Sequence, residues 1–117
     1  MIVANGAKTI LAGLGNMKAA MVADYPKFMP PKDEVAKKMN EAYANNLTVT
    51  YGKKYIKITE KGGGVKAFVV GVDNDKIFKK GDILKPAGYA APARNAARGN
   101  ILDGGYAINW TGPLYLK

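Results

Sequence analysis

Residues 47–72 read LTVTYGKKYIKITEKGGGVKAFVVGV, and this stretch decides the fold class. Leu47 to Tyr51 and Tyr55 to Thr59 alternate apolar or aromatic residues with polar ones, the period of a strand with one buried face. The second run leads through Gly62-Gly63-Gly64 into Val65 to Val72, which predicts a hairpin. A glycine triplet can also cradle phosphate. That chemistry needs Lys and Ser/Thr at set positions opening a helix, whereas here strands are expected on both sides, so the triplet reads as a hairpin tip.

Downstream, Asp73-Asn74-Asp75 is a turn, and Gly81-Asp82 is a second turn placed before a strand from Ile83 to Lys85 that Pro86 should end. Ala91 to Gly99 reads as a short helix, with Pro92 near its first turn and Gly99 at its exit. Asp103-Gly104-Gly105 is a turn before a last alternating strand, Tyr106 to Trp110.

Upstream of the hairpin a helix is expected over residues 32–45. Pro31 and Lys32 lead into it, Asp33 and Glu34 suit its positive end, and Val35, Met39, Ala42 and Tyr43 align on one face to pack on the sheet. Tyr25-Pro26, Met29-Pro30 and Pro30-Pro31 keep the segment before it extended. Residues 1–31 then read as an N-terminal arm, with glycines at 6, 13 and 15 that disfavour a self-sufficient helix. Leu14, Met17 and Met21 have helical spacing, so a short amphipathic helix is expected there if something covers the stripe; they are the arm's expected contacts, covered by the domain itself in preference to a partner chain. The expected fold is α+β: an arm (1–31) and one domain (32–117) built on a small curved antiparallel sheet or partly open barrel, with one amphipathic and one short helix.

Composition narrows the chemistry. The chain of 117 residues holds no Cys and no His, which removes disulfides, thiolate metal sites, Cys nucleophiles and the usual base near neutral pH. No enzyme, cofactor or metal site is expected. The net charge is +9, with 6 Lys against 4 acids up to residue 50 and 12 Lys and Arg against 5 acids after it. Such an excess favours anionic partners, although lysines scattered over strands and turns also serve as a solubilising face. The apolar run from Thr9 to Ala23 is interrupted by Asn16 and Lys18, so no membrane span is expected.

Arg94 and Arg98 are the only arginines, four apart on the expected short helix, where two guanidinium forks could share a face and clamp an anion or else bridge Asp82, Asp103 or a neighbouring chain. Tyr51, Tyr55, Phe68, Phe78, Tyr89, Tyr106, Trp110 and Tyr115 interleave with Lys53, Lys54, Lys57, Lys66, Lys79, Lys80 and Lys85, a mixture that single-strand nucleic-acid binders use. Phe68, Phe78 and Trp110 are expected in the core, Tyr55 and Tyr89 at the surface. The binding candidates are therefore Arg94, Arg98, Lys79, Lys80, Tyr55 and Tyr89. Asp73 and Asp75 fit turn chemistry better than a cation site, and no pair among Glu60, Asp82 and Asp103 is marked for acid–base work.

From Lys54 to Lys117 the chain resembles small proteins of tailed phages and other DNA viruses, in KKYIKI and in FKKGDILKPAGYAAPARNAARGNILDGGYAINWTGPLYL. The likeness lies in the order of Gly-Asp turn, Ala/Arg segment and Asn-Trp-Thr-Gly-Pro end, and it carries no catalytic or binding residue with it. It implies a phage setting, where small non-enzymatic chains serve as capsid decoration or other virion parts. The expectation is thus a structural or assembly protein with homo- or hetero-oligomeric protein partners, in a virion if phage-derived and otherwise cytoplasmic. The alternative is a small basic nucleic-acid-binding module.

Overall fold

The computed structural model describes residues 1–114 and shows an α+β protein: β1 (Ile2–Val3), α1 (Ile10–Phe28), α2 (Glu34–Asn46), β2 (Leu47–Tyr51), β3 (Tyr55–Glu60), β4 (Gly64–Val70), β5 (Ile83–Leu84), β6 (Tyr106–Asn109) and β7 (Gly112–Pro113). Tyr115, one of the interleaved aromatics, lies outside the described residues. Two antiparallel sheets, β2-β3-β4-β5 and β1-β6-β7, stay separate and do not close into a barrel.

The expected hairpins are present. β2 pairs β3 from Leu47↔Glu60 to Tyr51↔Ile56, and β3 pairs β4 around a tip at residues 61–63, with the register shifting between Ile58 and Thr59. β4 is apolar on both faces. Ala67 and Val69 join a first cluster with Ile56, Ile58, Tyr106 and Ile108, whereas Phe68 and Val70 join a second with Phe78 and Leu84 on the opposite face.

The first cluster is closed by helices, and here the reading of an arm is corrected. Residues 10–28 form a helix of 19 residues whose Leu14, Met17 and Met21 are buried in the core, so the domain covers the stripe itself. Thr9 caps the helix by accepting the Ala12 N–H at 3.1 Å. Two glycines and Pro26 inside this helix cost roughly 5 kcal/mol of helix propensity. Burying three large apolar side chains returns about 1.5–3 kcal/mol each, which is enough to override them. Pro26 sits in the last turn, where it sacrifices only the bond to the Val22 carbonyl, so the expected extended segment begins after Met29 instead. Gly13 also has a packing reason: a Cβ there would lie 2.9 Å from the Ile101 carbonyl oxygen and 3.0 Å from its Cβ.

α2 runs close to the predicted bounds but is turned on its axis. Ala36 and Tyr43 are buried, whereas Val35 is 68% and Met39 41% exposed, contrary to the expected packing face. Tyr43 sets the rotation, because its ring stacks on Tyr25 at 4.4 Å and its hydroxyl donates to the Trp110 carbonyl at 2.5 Å. Asn40 supports it by donating to the Met29 carbonyl at 2.8 Å, which ties α2 to the end of α1.

The short helix expected over Ala91 to Gly99 does not form. That segment lies extended along β5: the Arg98 N–H donates to the Ile83 carbonyl and the Ile83 N–H to the Gly99 carbonyl, both at 2.8 Å, and the Ala93 N–H reaches Lys85 at 2.7 Å. Pairing with a strand satisfies these backbone groups, and helix propensity loses to it. Among the predicted core aromatics Phe68 and Phe78 are buried, and Trp110 is half-buried against Tyr25 and Phe28.

Gly13→Ala should drive α1 away from Ile101 and lower stability by about 1–3 kcal/mol, the usual cost of overpacking. Gly15→Ala is the control, since its Cβ would meet nothing within 4 Å. Thermal or urea unfolding of the two variants measures the difference.

Candidate functional site

On the other face of the large sheet the loop from Gly71 to Gly81 and the segment from Pro86 to Gly99 cover the second apolar cluster. A loop without regular structure needs side-chain anchors, and Asp75 supplies the main one. Its Oδ1 accepts the Ile77 and Phe78 N–H groups at 2.8 and 2.9 Å and Arg94 Nη2 at 3.0 Å. Its Oδ2 lies 3.0 Å from Arg94 Nη1 and 3.1 Å from Lys54 Nζ, and the side chain is wholly covered. Arg94 also donates to the Tyr55 hydroxyl and lies over the Phe78 ring at 4.9 Å. The Arg94 guanidinium, then the two backbone N–H groups and Lys54, hold the Asp75 carboxyl far below the usual carboxylate range.

This clasp redefines the arginine pair. Without a helix under them, Arg94 and Arg98 do not share a helical face; Arg94 serves Asp75, and Arg98 donates to Asn95 Oδ1 at 3.1 Å and to the Leu114 carbonyl at 3.4 Å. The bridge anticipated to Asp82 or Asp103 is made to Asp75. Lys79 reaches Asp103 at 2.5 Å, which raises its own pKa, and the Lys80 carbonyl accepts from Asn100 at 2.9 Å. The three carboxylates weighed for acid–base work are each engaged separately: Glu60 with Lys66 at 3.0 Å, Asp103 with Lys79, and Asp82 with the Asn100 side chain at 2.9 Å. Among the described residues no group of three acidic side chains could hold a metal, and no helix is long and apolar enough to cross a membrane.

Tyr55 is half-buried in the clasp, whereas Tyr89 is 71% exposed with Lys57 Nζ 4.0 Å above its ring. Lys57 also approaches Phe68 at 5.8 Å. A cleft of about 270 Å³ opens here, lined by the β2–β3 turn (Gly52, Lys53, Lys54) and by Lys57, Phe68 and Ala90. The sequence reading counted Lys53 and Lys57 among the interleaved lysines without singling them out; spacing alone does not say which lysines meet an aromatic face.

A second feature went unread in the sequence. The four-stranded sheet has one covered edge, β5, and one open edge, β2. The Gly52 N–H donates to the Tyr55 carbonyl at 2.9 Å and the Lys61 N–H to the Asn46 carbonyl at 3.0 Å, which fixes the phase of the β2–β3 ladder. Residues 46, 48, 50 and 52 turn their backbone groups toward β3. Those of Leu47, Val49 and Tyr51 point away, and no described residue pairs with them. The strand has no Lys, no Pro, no other charge and no bulge against β3, so none of the usual devices blunts this edge. The signal was present in LTVTY, but an edge is identifiable only after strand order is known.

No family model matches the chain, nor does any curated protein or solved structure. Function must therefore be read from the geometry.

Asp75 yields a pH prediction. A carboxyl whose folded pKa is depressed stabilises the fold above its unfolded value, about 3.9, and that contribution drains away as the pH falls below it toward the folded value. Wild type should lose melting temperature steeply on acidification below about pH 4, and Asp75→Asn should be less stable at neutral pH with a shallower acid limb. Melting curves across that range check both.

Proposed function

We propose that this chain is a non-enzymatic structural or assembly protein that docks to protein subunits through its large sheet, and that its setting is a virion, with capsid decoration as the role. The observation that carries the assembly reading is the open, uncharged β2 edge on a sheet whose other edge is covered. An edge strand of this kind is a ready template for pairing with another chain, and proteins that do not use such an edge generally protect it. The engagement of Arg94, Lys54 and Lys79 by carboxylates of the same chain agrees with this reading, since these cations hold loops in place. The virion setting rests on the phage-like sequence of residues 54–117.

The second reading, nucleic-acid binding, has one observation in its favour. The cleft at the β2–β3 turn joins Lys53 and Lys57, neither of which forms an ion pair among the described residues, to the exposed ring of Tyr89. Backbone attraction with base stacking would suit that surface. Its weakness is size, because two free lysines neutralise few phosphates and supply little of the salt-sensitive affinity such binders need.

Two measurements on the purified chain decide between the readings. Light scattering over a concentration series should give masses above that of one chain, and titration with labelled single- and double-stranded DNA should show binding no tighter than the roughly micromolar level of non-specific contacts at near-physiological salt. A chain that stays monomeric, binds DNA at nanomolar level, and loses that affinity in Lys53→Ala/Lys57→Ala would overturn the assembly reading in favour of nucleic acid.

A further inference from the structure

We infer that the occupant of the β2 edge is a second copy of this chain, paired antiparallel about a two-fold axis at Val49, so that the two four-stranded sheets become one of eight strands. This rests on the assembly reading and names its partner. Because only Leu47, Val49 and Tyr51 turn their backbone groups outward, a self-pairing must match odd residues with odd residues. Of the registers that satisfy this, only the one centred on Val49 engages all three: Val49 faces its own copy, and Leu47 faces Tyr51 on both sides of the axis.

The side chains agree with that register. Thr48 and Thr50, both exposed, fall opposite one another across the axis, and Thr–Thr pairs are favourable on a sheet. Tyr51, 58% exposed in the single chain, gains cover from the other copy's Leu47, an aromatic–aliphatic pair. The paired segment, Leu47 to Tyr51, carries no charge, so the register sets no like charges opposite one another. The opposite edge cannot serve in the same way, since the backbone of Ile83 is already bonded to Arg98 and Gly99.

The register is tested by charge placement and by a single thiol. In T48K/T50E each two-fold pair carries opposite charges, and this variant should dimerise within about threefold of the wild-type dissociation constant. T48K/T50K sets like charges in both pairs and should weaken the dimer about tenfold or more. Both positions are exposed, and melting curves verify that the two variants fold. In this cysteine-free chain, Val49→Cys puts two thiols at the axis with Cα atoms about 5.5 Å apart, within disulfide range, so mild oxidation should yield a covalent dimer. Thr48→Cys, about 8 Å from its own copy, should cross-link poorly. If wild type associates while the two charge variants behave alike and Val49→Cys stays uncross-linked, the two-fold pairing is overturned and the assembly reading stands. A wild-type chain that remains monomeric at all concentrations overturns the pairing, and the DNA titration then decides the reading it rests on.

Discussion

Everything else in the molecule follows from β4 being apolar on both faces. A strand with Ala67 and Val69 on one side and Phe68 and Val70 on the other needs two covers, and the chain has helices for only one. α1 and α2 close the first face together with the small sheet. The second is left to Phe78 and to loops without regular structure, and Asp75 with Arg94 and Lys54 anchors the loop there. Gly112 shows how closely the small sheet must approach β4: a Cβ at that position would lie 2.2 Å from the Lys66 carbonyl oxygen, so only glycine fits at that contact.

The same constraint engages several basic residues within the chain itself. Lys54 and Arg94 converge on Asp75, Lys66 meets Glu60, and Lys79 meets Asp103, all within the chain. Covering Phe78 with a loop places the Arg94 guanidinium over its ring, so the cation that might have held an external anion is instead part of the cover. Lys53 and Lys57 form no ion pair among the described residues and lie close to the open edge, one at the hairpin turn and the other on β3.

The strands were legible where their signal is local. Alternation and turn residues located β2, β3, β4 and β6, because pleat and hairpin chemistry act over a few neighbours. α1 is legible only as a short helix that forms if its stripe is covered, because two glycines and a proline oppose a long one, and the burial that outweighs them depends on contacts with Ile101 and Tyr106 far along the chain. The stretch from Ala91 to Gly99 failed in the opposite sense: its composition favours a helix, and β5 takes its backbone bonds. The arginine pair fell with that helix. α2 shows an intermediate case, in which the helix was readable from caps and periodicity but its rotation was set by one aromatic stack with Tyr25.

Net charge also bears on how edge pairing and nucleic-acid binding respond to ionic strength. Two chains of +9 repel at long range, and screening that repulsion favours association through backbone hydrogen bonds and apolar contact, neither of which salt weakens much. Binding to a phosphate backbone depends on releasing counterions and weakens as salt rises. The two modes thus respond with opposite sign, and the same lysines that would hinder dimerisation at low salt would promote phosphate binding there. The paired strand itself carries no charge, so the contribution of Leu47, Val49 and Tyr51 should persist as salt rises.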